Sequence, residues 1–110
     1  MKYVVFLLML LAFTSCNKLK LDASLSAGVK KKITTFAKHN SCKDIQADEY
    51  RFNTELVYVL SPGTCGADML AEVIDDQGET LGNIGGIAGN MEIKGGSFTS
   101  AEFVRTVWKR

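Results

Sequence analysis

The feature that most limits the fold of this chain is a change in the spacing of its apolar residues near residue 40. Before it, Leu25, Val29, Ile33 and Phe36 recur at intervals of four, four and three, which is the spacing of one helix face. After it, apolar residues alternate or form short runs between turn residues, which is typical of strands. One helix followed by strands predicts the α+β class.

The helix is expected to be capped by Ser24 or Asp22 and to end near His39-Asn40. Its lysines fall outside the apolar stripe, so that stripe is predicted to face the core. His39 is the only histidine of the chain. A cation at the end of a helix interacts favourably with the helix dipole, which favours a structural role for His39 over that of a catalytic base.

Two segments after the helix are predicted to be strands, because both are rich in aromatic and β-branched residues. Asp48–Phe52 and Leu56–Leu60 are either two arms of a hairpin through Asn53-Thr54-Glu55 or one bent strand. The second segment is apolar on both faces, which predicts a central strand.

Four further strands are predicted downstream of Pro62, and they are Met69–Ile74, Thr80–Ile84, Met91–Lys94 and Phe103–Trp108. The first two form a hairpin around Asp75-Asp76-Gln77-Gly78, and a helix starting near Thr99 or Ser100 competes with the last. We expect the helix to pack on an antiparallel sheet of about four to five strands, in one domain over residues 23–110.

The first residues are typical of a secretion signal. Lys2 is followed by an apolar run from Tyr3 to Phe13, which is shorter than the roughly 20 residues that span a bilayer. After this run, Phe13-Thr14-Ser15-Cys16 resembles the lipobox of bacterial lipoproteins. The alternative is an ordinary signal peptide followed by a fortuitous cysteine.

The lipobox resemblance implies a signal peptide over residues 1–15, cleavage before Cys16, and a lipid on the Cys16 sulfur. Residues 16–22 would then form a tether. Asn17 stands where an aspartate would indicate retention in the inner membrane, so the resemblance favours the outer membrane, facing the periplasm or the cell surface. The partner of the chain would include the membrane itself, through the lipid anchor.

Two cysteines remain if Cys16 carries lipid. Cys42 and Cys65 are predicted to form a disulfide, because the signal directs the chain to an oxidising compartment. Two free buried thiols, or a metal pair completed by His39, are the alternatives. The metal pair is disfavoured because the sequence contains no C-x-x-C motif.

Charge and motifs exclude several functions. The formal net charge is +1, whereas general nucleic-acid binding needs a basic excess, so no nucleic-acid partner is expected. The glycine-rich segment "GNIGGIAGN" has neither G-x-G-x-x-G nor a Gly-Lys-Ser/Thr element, so Gly85-Gly86 is assigned to a tight turn or a close backbone approach, and no cofactor is predicted. No constellation for catalysis is found, and an enzyme is not expected.

Two surfaces could bind other molecules. The acids around Gly78, which are Asp75, Asp76 and Glu79, could hold a small ion or ligand, although their spacing is not that of an EF-hand. Trp108, near the end of the chain, is predicted to be half exposed and suited to a protein surface.

Residues 42–110 resemble a family of small bacterial envelope lipoproteins of unknown function. The resemblance is carried by "ELVYVLSP", by Cys65 with Asp68, by "DDQGETLGNIGGIAG", by Gly96 and Phe98, and by the closing "VWKR". The family implies a location and an architecture but no mechanism. The sequence therefore predicts a non-enzymatic, lipid-anchored envelope protein that binds an unidentified protein partner through a sheet face or the glycine-rich loop. The alternative is an ion or ligand binder that uses the acidic hairpin 75–79.

Overall fold

The computed structural model describes residues 19–64 and 69–110. The predicted signal peptide, Cys16 and Cys65 lie outside these residues. The described chain contains helix α1, Ala27–His39, and a 3-10 turn, Phe98–Ser100. Its strands are β1 Gln46–Phe52, β2 Glu55–Ser61, β3 Leu70–Asp75, β4 Thr80–Gly85, β5 Glu92–Ile93, β6 Gly96–Ser97 and β7 Glu102–Lys109.

Five strands form one antiparallel sheet in the order β4-β3-β2-β1-β7, and β5 and β6 form a separate short hairpin. The α+β class and the five-stranded antiparallel sheet are thus confirmed. β2 lies at the centre of the sheet, as its apolar character on both faces predicted. β4 and β7 are the two edge strands.

The first hairpin uses a two-residue turn. Asn53 and Thr54 both have positive φ, at 50° and 67°, which is the backbone of a type I′ turn. The one-bent-strand alternative is therefore wrong, and Glu55 begins β2 instead of completing the turn. Thr54 is an unusual residue for positive φ because it branches at Cβ.

The helix begins later than the capping pattern predicted. Ser26 is the N-cap, and its Oγ accepts a hydrogen bond from Val29 N at 3.2 Å. The predicted caps instead form the preceding turn, in which Asp22 Oδ1 accepts from Ser24 N at 2.9 Å. At the other end α1 stops at His39 with Asn40 as the C-cap, as predicted.

The sheet has a hydrophobic core on each face. On the helix side, Leu25, Val29 and Ile33 pack against inward residues of the central strands, which are Ala47, Tyr58, Leu60 and Ile74. On the other side, Phe98 and Ile93 cover the opposite faces of β1 to β3. The predicted alternative of a helix from Thr99 or Ser100 is wrong, because only the three-residue 3-10 turn forms before β7.

The packed part of the chain already includes Leu19. Leu19 and Leu21, which the sequence assigned to the tether, are partly buried against the helix-side core. Leu19 also contacts the smaller buried cluster of Ala37, Cys42 and Ile45. In the part of the chain that the structure describes, no helix is long and apolar enough to cross a bilayer.

Candidate functional site

An open groove of about 520 Å³ lies at the edge of the sheet formed by β4. Its floor is Leu70 of β3 and its partner in the ladder, Gly85 of β4. Residues directly opposite in an antiparallel pair project to the same face, so the missing side chain at Gly85 leaves Leu70 uncovered. The groove is lined by Leu70, Asn83, Gly85, Gly86, Ile87, Ala88 and Asn90.

The glycine-rich loop forms the wall of this groove. Gly85 and Asn90 exchange two backbone hydrogen bonds, of 2.7 and 3.1 Å, which close a tight turn over residues 86–89. Gly85, Gly86 and Gly89 have φ of 91°, 76° and 60°, so the turn needs the left-handed region that glycine enters at little cost. The turn predicted for Gly85-Gly86 is therefore confirmed.

Apolar side chains are exposed around the groove. Ile87, in the turn, is 85% exposed, and Leu70 and Met69 are 52% and 41% exposed. None of the residues that line the groove carries a titratable side chain. These lining residues thus supply no acid, base or nucleophile. Because Gly85 and Gly86 have no side chains, an apolar group could contact the backbone there directly.

The acidic turn is engaged in structural contacts. Asp75 Oδ1 accepts from Gln77 N and Glu79 N, both at 2.9 Å. The backbone carbonyl of Asp76 accepts from Ser26 Oγ at 2.5 Å, which joins this turn to the start of α1. Among residues 19–64 and 69–110, no three or more histidine, cysteine and acidic side chains form a group that could hold a metal ion.

A polar cluster that the sequence analysis did not identify joins β7 to the segment before α1. Arg105 donates to Asp22 Oδ2 at 2.6 Å, to Ser24 Oγ at 3.1 Å and to Glu49 Oε1 at 3.3 Å. The backbone N–H of Ser24, followed by Arg105, holds the pKa of Asp22 well below its usual range. Asp22 and Arg105 are 83 residues apart in the chain, so no local signal could have identified the pair.

A second cluster ties α1 to the sheet. Lys32 Nζ lies 2.8 Å from Glu72 Oε2 and 3.1 Å from Thr80 Oγ1, and Thr80 also donates to Glu72. Burial alone would raise the pKa of Glu72, but the hydrogen bonds from Lys32 and Thr80 outweigh it and the pKa is lowered. This cluster fixes the position of the helix over β3 and β4.

Of the two cysteines in the predicted disulfide, only Cys42 lies in the described part of the chain. Cys42 is buried and disulfide-bonded, which is incompatible with a free thiol there. Because Cys16 and Cys65 both lie outside the described residues, the pairing with Cys65 stays a prediction. Nearby, Asp44 accepts from the Thr64 hydroxyl at 2.5 Å and from Thr64 N at 3.0 Å, and these hydrogen bonds lower the pKa of Asp44.

The end of the chain caps the helix. Arg110 donates from Nη2 to Ala37 O at 2.5 Å and from Nη1 to the carbonyls of Asn40 and Cys42 at 2.5 and 2.9 Å. Its guanidinium carbon lies 6.0 Å from the ring centroid of Trp108. Trp108 packs against the same two buried clusters as Leu19 and is half exposed, as predicted.

The chain belongs to the family described as a domain of unknown function, DUF6970, which it matches over residues 31–110. This match spans α1 from Lys31 onward and every strand of the sheet. No curated protein and no solved structure significantly matches the chain.

Proposed function

We propose that this DUF6970 protein is a lipid-anchored, non-enzymatic binding module of the bacterial cell envelope, which holds a protein partner in the groove beside its glycine-rich loop. The anchor would be Cys16, because Phe13-Thr14-Ser15-Cys16 follows a short apolar run at the position of a lipobox. Asn17 favours the outer membrane, with the domain facing the periplasm or the cell surface.

The groove is the observation that supports partner binding. Apolar residues that cluster at a surface mark interaction sites, whereas scattered ones need no explanation. Met69 and Leu70 are adjacent in the chain, and Leu70 lies opposite Gly85, from which the turn with Ile87 departs. A volume of about 520 Å³ accommodates one or two apolar side chains of a partner.

The shape of the loop also favours binding over catalysis. Gly85 and Gly86 present backbone without side chains, so a partner can approach the amide groups closely. Asn90 Nδ2 donates to Asn83 O at 2.9 Å, which joins the end of the loop to β4. A wall fixed in this way loses little conformational entropy when a partner binds.

Covalent capture in cells tests the partner claim. A photoreactive amino acid at Ile87 should give one discrete adduct on illumination, identified by mass spectrometry. The same amino acid at Val104, which is 43% exposed on the other edge of the sheet, is the control. No adduct at Ile87, or the same adducts at both positions, would contradict binding in the groove.

Metabolic labelling tests the anchor separately. A palmitate analogue should label the wild-type chain and not the Cys16→Ala variant. Equal labelling of both proteins, or labelling of neither, would rule out the lipid anchor at Cys16.

A further inference from the structure

We propose that the end of the domain nearest Cys16 rests on anionic phospholipid headgroups, so that the domain has a fixed orientation on the membrane. This inference rests on the lipid anchor proposed above. It concerns a surface that we name the basic end, formed by Lys20, Lys38, Lys43, Lys109 and Arg110, all of which are exposed.

A lipid on Cys16 would lie close to the packed part of the chain. Leu19 already packs against the buried cluster of Ala37, Cys42 and Ile45, so only Asn17 and Lys18 separate Cys16 from the domain. Three extended residues reach at most about 10 Å. A lipid on Cys16 therefore holds the surroundings of Leu19 close to the headgroups.

Those surroundings form the basic end. Leu19 lines a surface depression together with Thr34, Ala37, Lys38 and Arg110. Arg110 reaches this position because it binds the carbonyls at the end of α1, which brings the end of β7 to the end of the helix.

The remaining lysines complete the surface from neighbouring positions in the chain. Lys20 follows Leu19, Lys109 precedes Arg110, and Lys43 lies in the turn between α1 and β1. Beside Lys43, the carboxylate of Asp44 is bound to Thr64. In this part of the described chain, the five exposed cations of the basic end therefore include Lys43 next to an acid whose carboxylate is already hydrogen-bonded.

An acidic turn lies at the other end of α1. The turn containing Asp75, Asp76 and Glu79 meets Ser26, the N-cap of the helix. A helix of 13 residues is about 20 Å long, which exceeds the Debye length of about 8 Å at physiological salt. The acidic turn thus cannot cancel the attraction of the basic end, although the formal net charge of the chain is only +1.

The proposed orientation also determines where the groove lies relative to the membrane. Gln46 pairs with both Ser61 and Lys109, so the basic end lies where β1 starts and β2 and β7 end. β3 starts and β4 ends at this same end of the sheet, with the pair Leu70 and Gly85. Docking therefore leaves the groove close to the bilayer, about four strand spacings or roughly 19 Å from β7, where a membrane-associated partner can reach it.

The single tryptophan of the chain provides the test. The acylated mature protein is placed in vesicles of phosphatidylcholine, with or without phosphatidylglycerol, that carry a headgroup-linked quencher. Trp108 packs against the same buried cluster as Leu19 and lies near Arg110, so its fluorescence should be quenched more strongly when phosphatidylglycerol is present. High salt should remove the difference.

Charge reversal identifies the surface responsible. Lys38→Glu with Lys43→Glu should lower the ratio of docked to undocked domain by at least about fivefold for each residue changed. Arg51→Glu with Lys94→Glu, which also reverses two charges but lies outside the basic end, is the control and should leave quenching unchanged. Circular dichroism melting verifies that both double variants are folded.

The outcomes separate the two proposals. Equal quenching with and without phosphatidylglycerol, or equal effects of the two double variants, would overturn the orientation while leaving the anchor in place. Failure of the wild-type protein to float with neutral vesicles would refute the anchor at Cys16, and the orientation would fall with it.

Discussion

Gly28, in the first turn of α1, is in direct backbone contact with Gly78, in the turn between β3 and β4. A methyl group at Gly28 would lie 1.9 Å from Gln77 O, and one at Gly78 would lie 2.5 Å from Gly28 O. Two residues without side chains thus let a helix and a hairpin turn meet. The contact explains why Gly28 is tolerated inside a helix, where glycine ordinarily costs about 1 kcal/mol relative to alanine.

Replacing Gly28 by alanine should therefore destabilise the protein despite the better helix propensity of alanine. We expect the free energy of unfolding, measured with urea, to fall by about 2–4 kcal/mol, because the added methyl group displaces α1 from the turn. Gly89→Ala is the matched control, since no atom lies within 4 Å of the added group. Only the cost of placing a Cβ at positive φ, about 1–2 kcal/mol, is expected there. Equal losses in both variants would show that the contact is unimportant.

Arg110 should stabilise the end of α1 through the shape of its side chain as well as its charge. Arg110→Ala removes the hydrogen bonds to three carbonyls and should lower the free energy of unfolding by about 1–2 kcal/mol. Arg110→Lys keeps the charge but cannot donate from a planar fork, so an intermediate loss is expected. If the lysine variant were as stable as the wild type, charge alone would account for the cap.

Reduction of the disulfide at Cys42 should lower the melting temperature. If the partner is Cys65, the bridge closes a loop of roughly two dozen residues and contributes about 3 kcal/mol in the chain-entropy treatment. Mass spectrometry of a digest prepared without reductant should find the Cys42 and Cys65 peptides joined. A Cys42 peptide joined to any other partner would refute the predicted pairing.

Stability should fall in acid because three carboxylates have lowered pKa values in the folded state. These are Asp22, Asp44 and Glu72. Their pKa values are lower in the folded than in the unfolded chain, so the folded state binds fewer protons. The stabilisation is complete above the unfolded pKa of about 4 and is lost as the pH falls through the folded values.

The variant Asp44→Asn isolates one of these contributions. It should reduce the slope of unfolding free energy against pH below about pH 4, because the bonded carboxylate is removed. Glu55→Gln, at an exposed position, is the control and should keep the wild-type slope. Identical slopes for Asp44→Asn and the wild type would show that Asp44 takes no part in the acid response.

Local patterns predicted most of the fold, but not the contacts between distant segments. The run from Leu56 to Leu60 identified the central strand because burial on both faces leaves no polar positions. The local sequence could not predict that Ser26, and not Ser24, is the N-cap of the helix, since both serines precede apolar residues. It depends on Asp22, which holds Ser24 in a turn and binds Arg105 from the far end of the chain.

The candidate groove was only partly predictable, because it also depends on contacts between residues that are distant in the sequence. The glycines at 85 and 86 indicated a turn, and the structure forms it. Leu70, however, follows the same alternation as a buried strand residue. Its 52% exposure arises because its neighbour across the ladder is Gly85, and strand register is not visible in a single sequence.

The binding of a purified partner to the groove is the measurement that tests the account most directly. With the partner captured at Ile87, isothermal titration should give an affinity at least about tenfold weaker for Ile87→Ser than for the wild type, because an exposed apolar anchor is lost. Val104→Ser, on the opposite edge, should bind like the wild type, and both variants should melt within a few degrees of it. Wild-type affinity in the folded Ile87→Ser protein would contradict the assignment of the groove as the binding site.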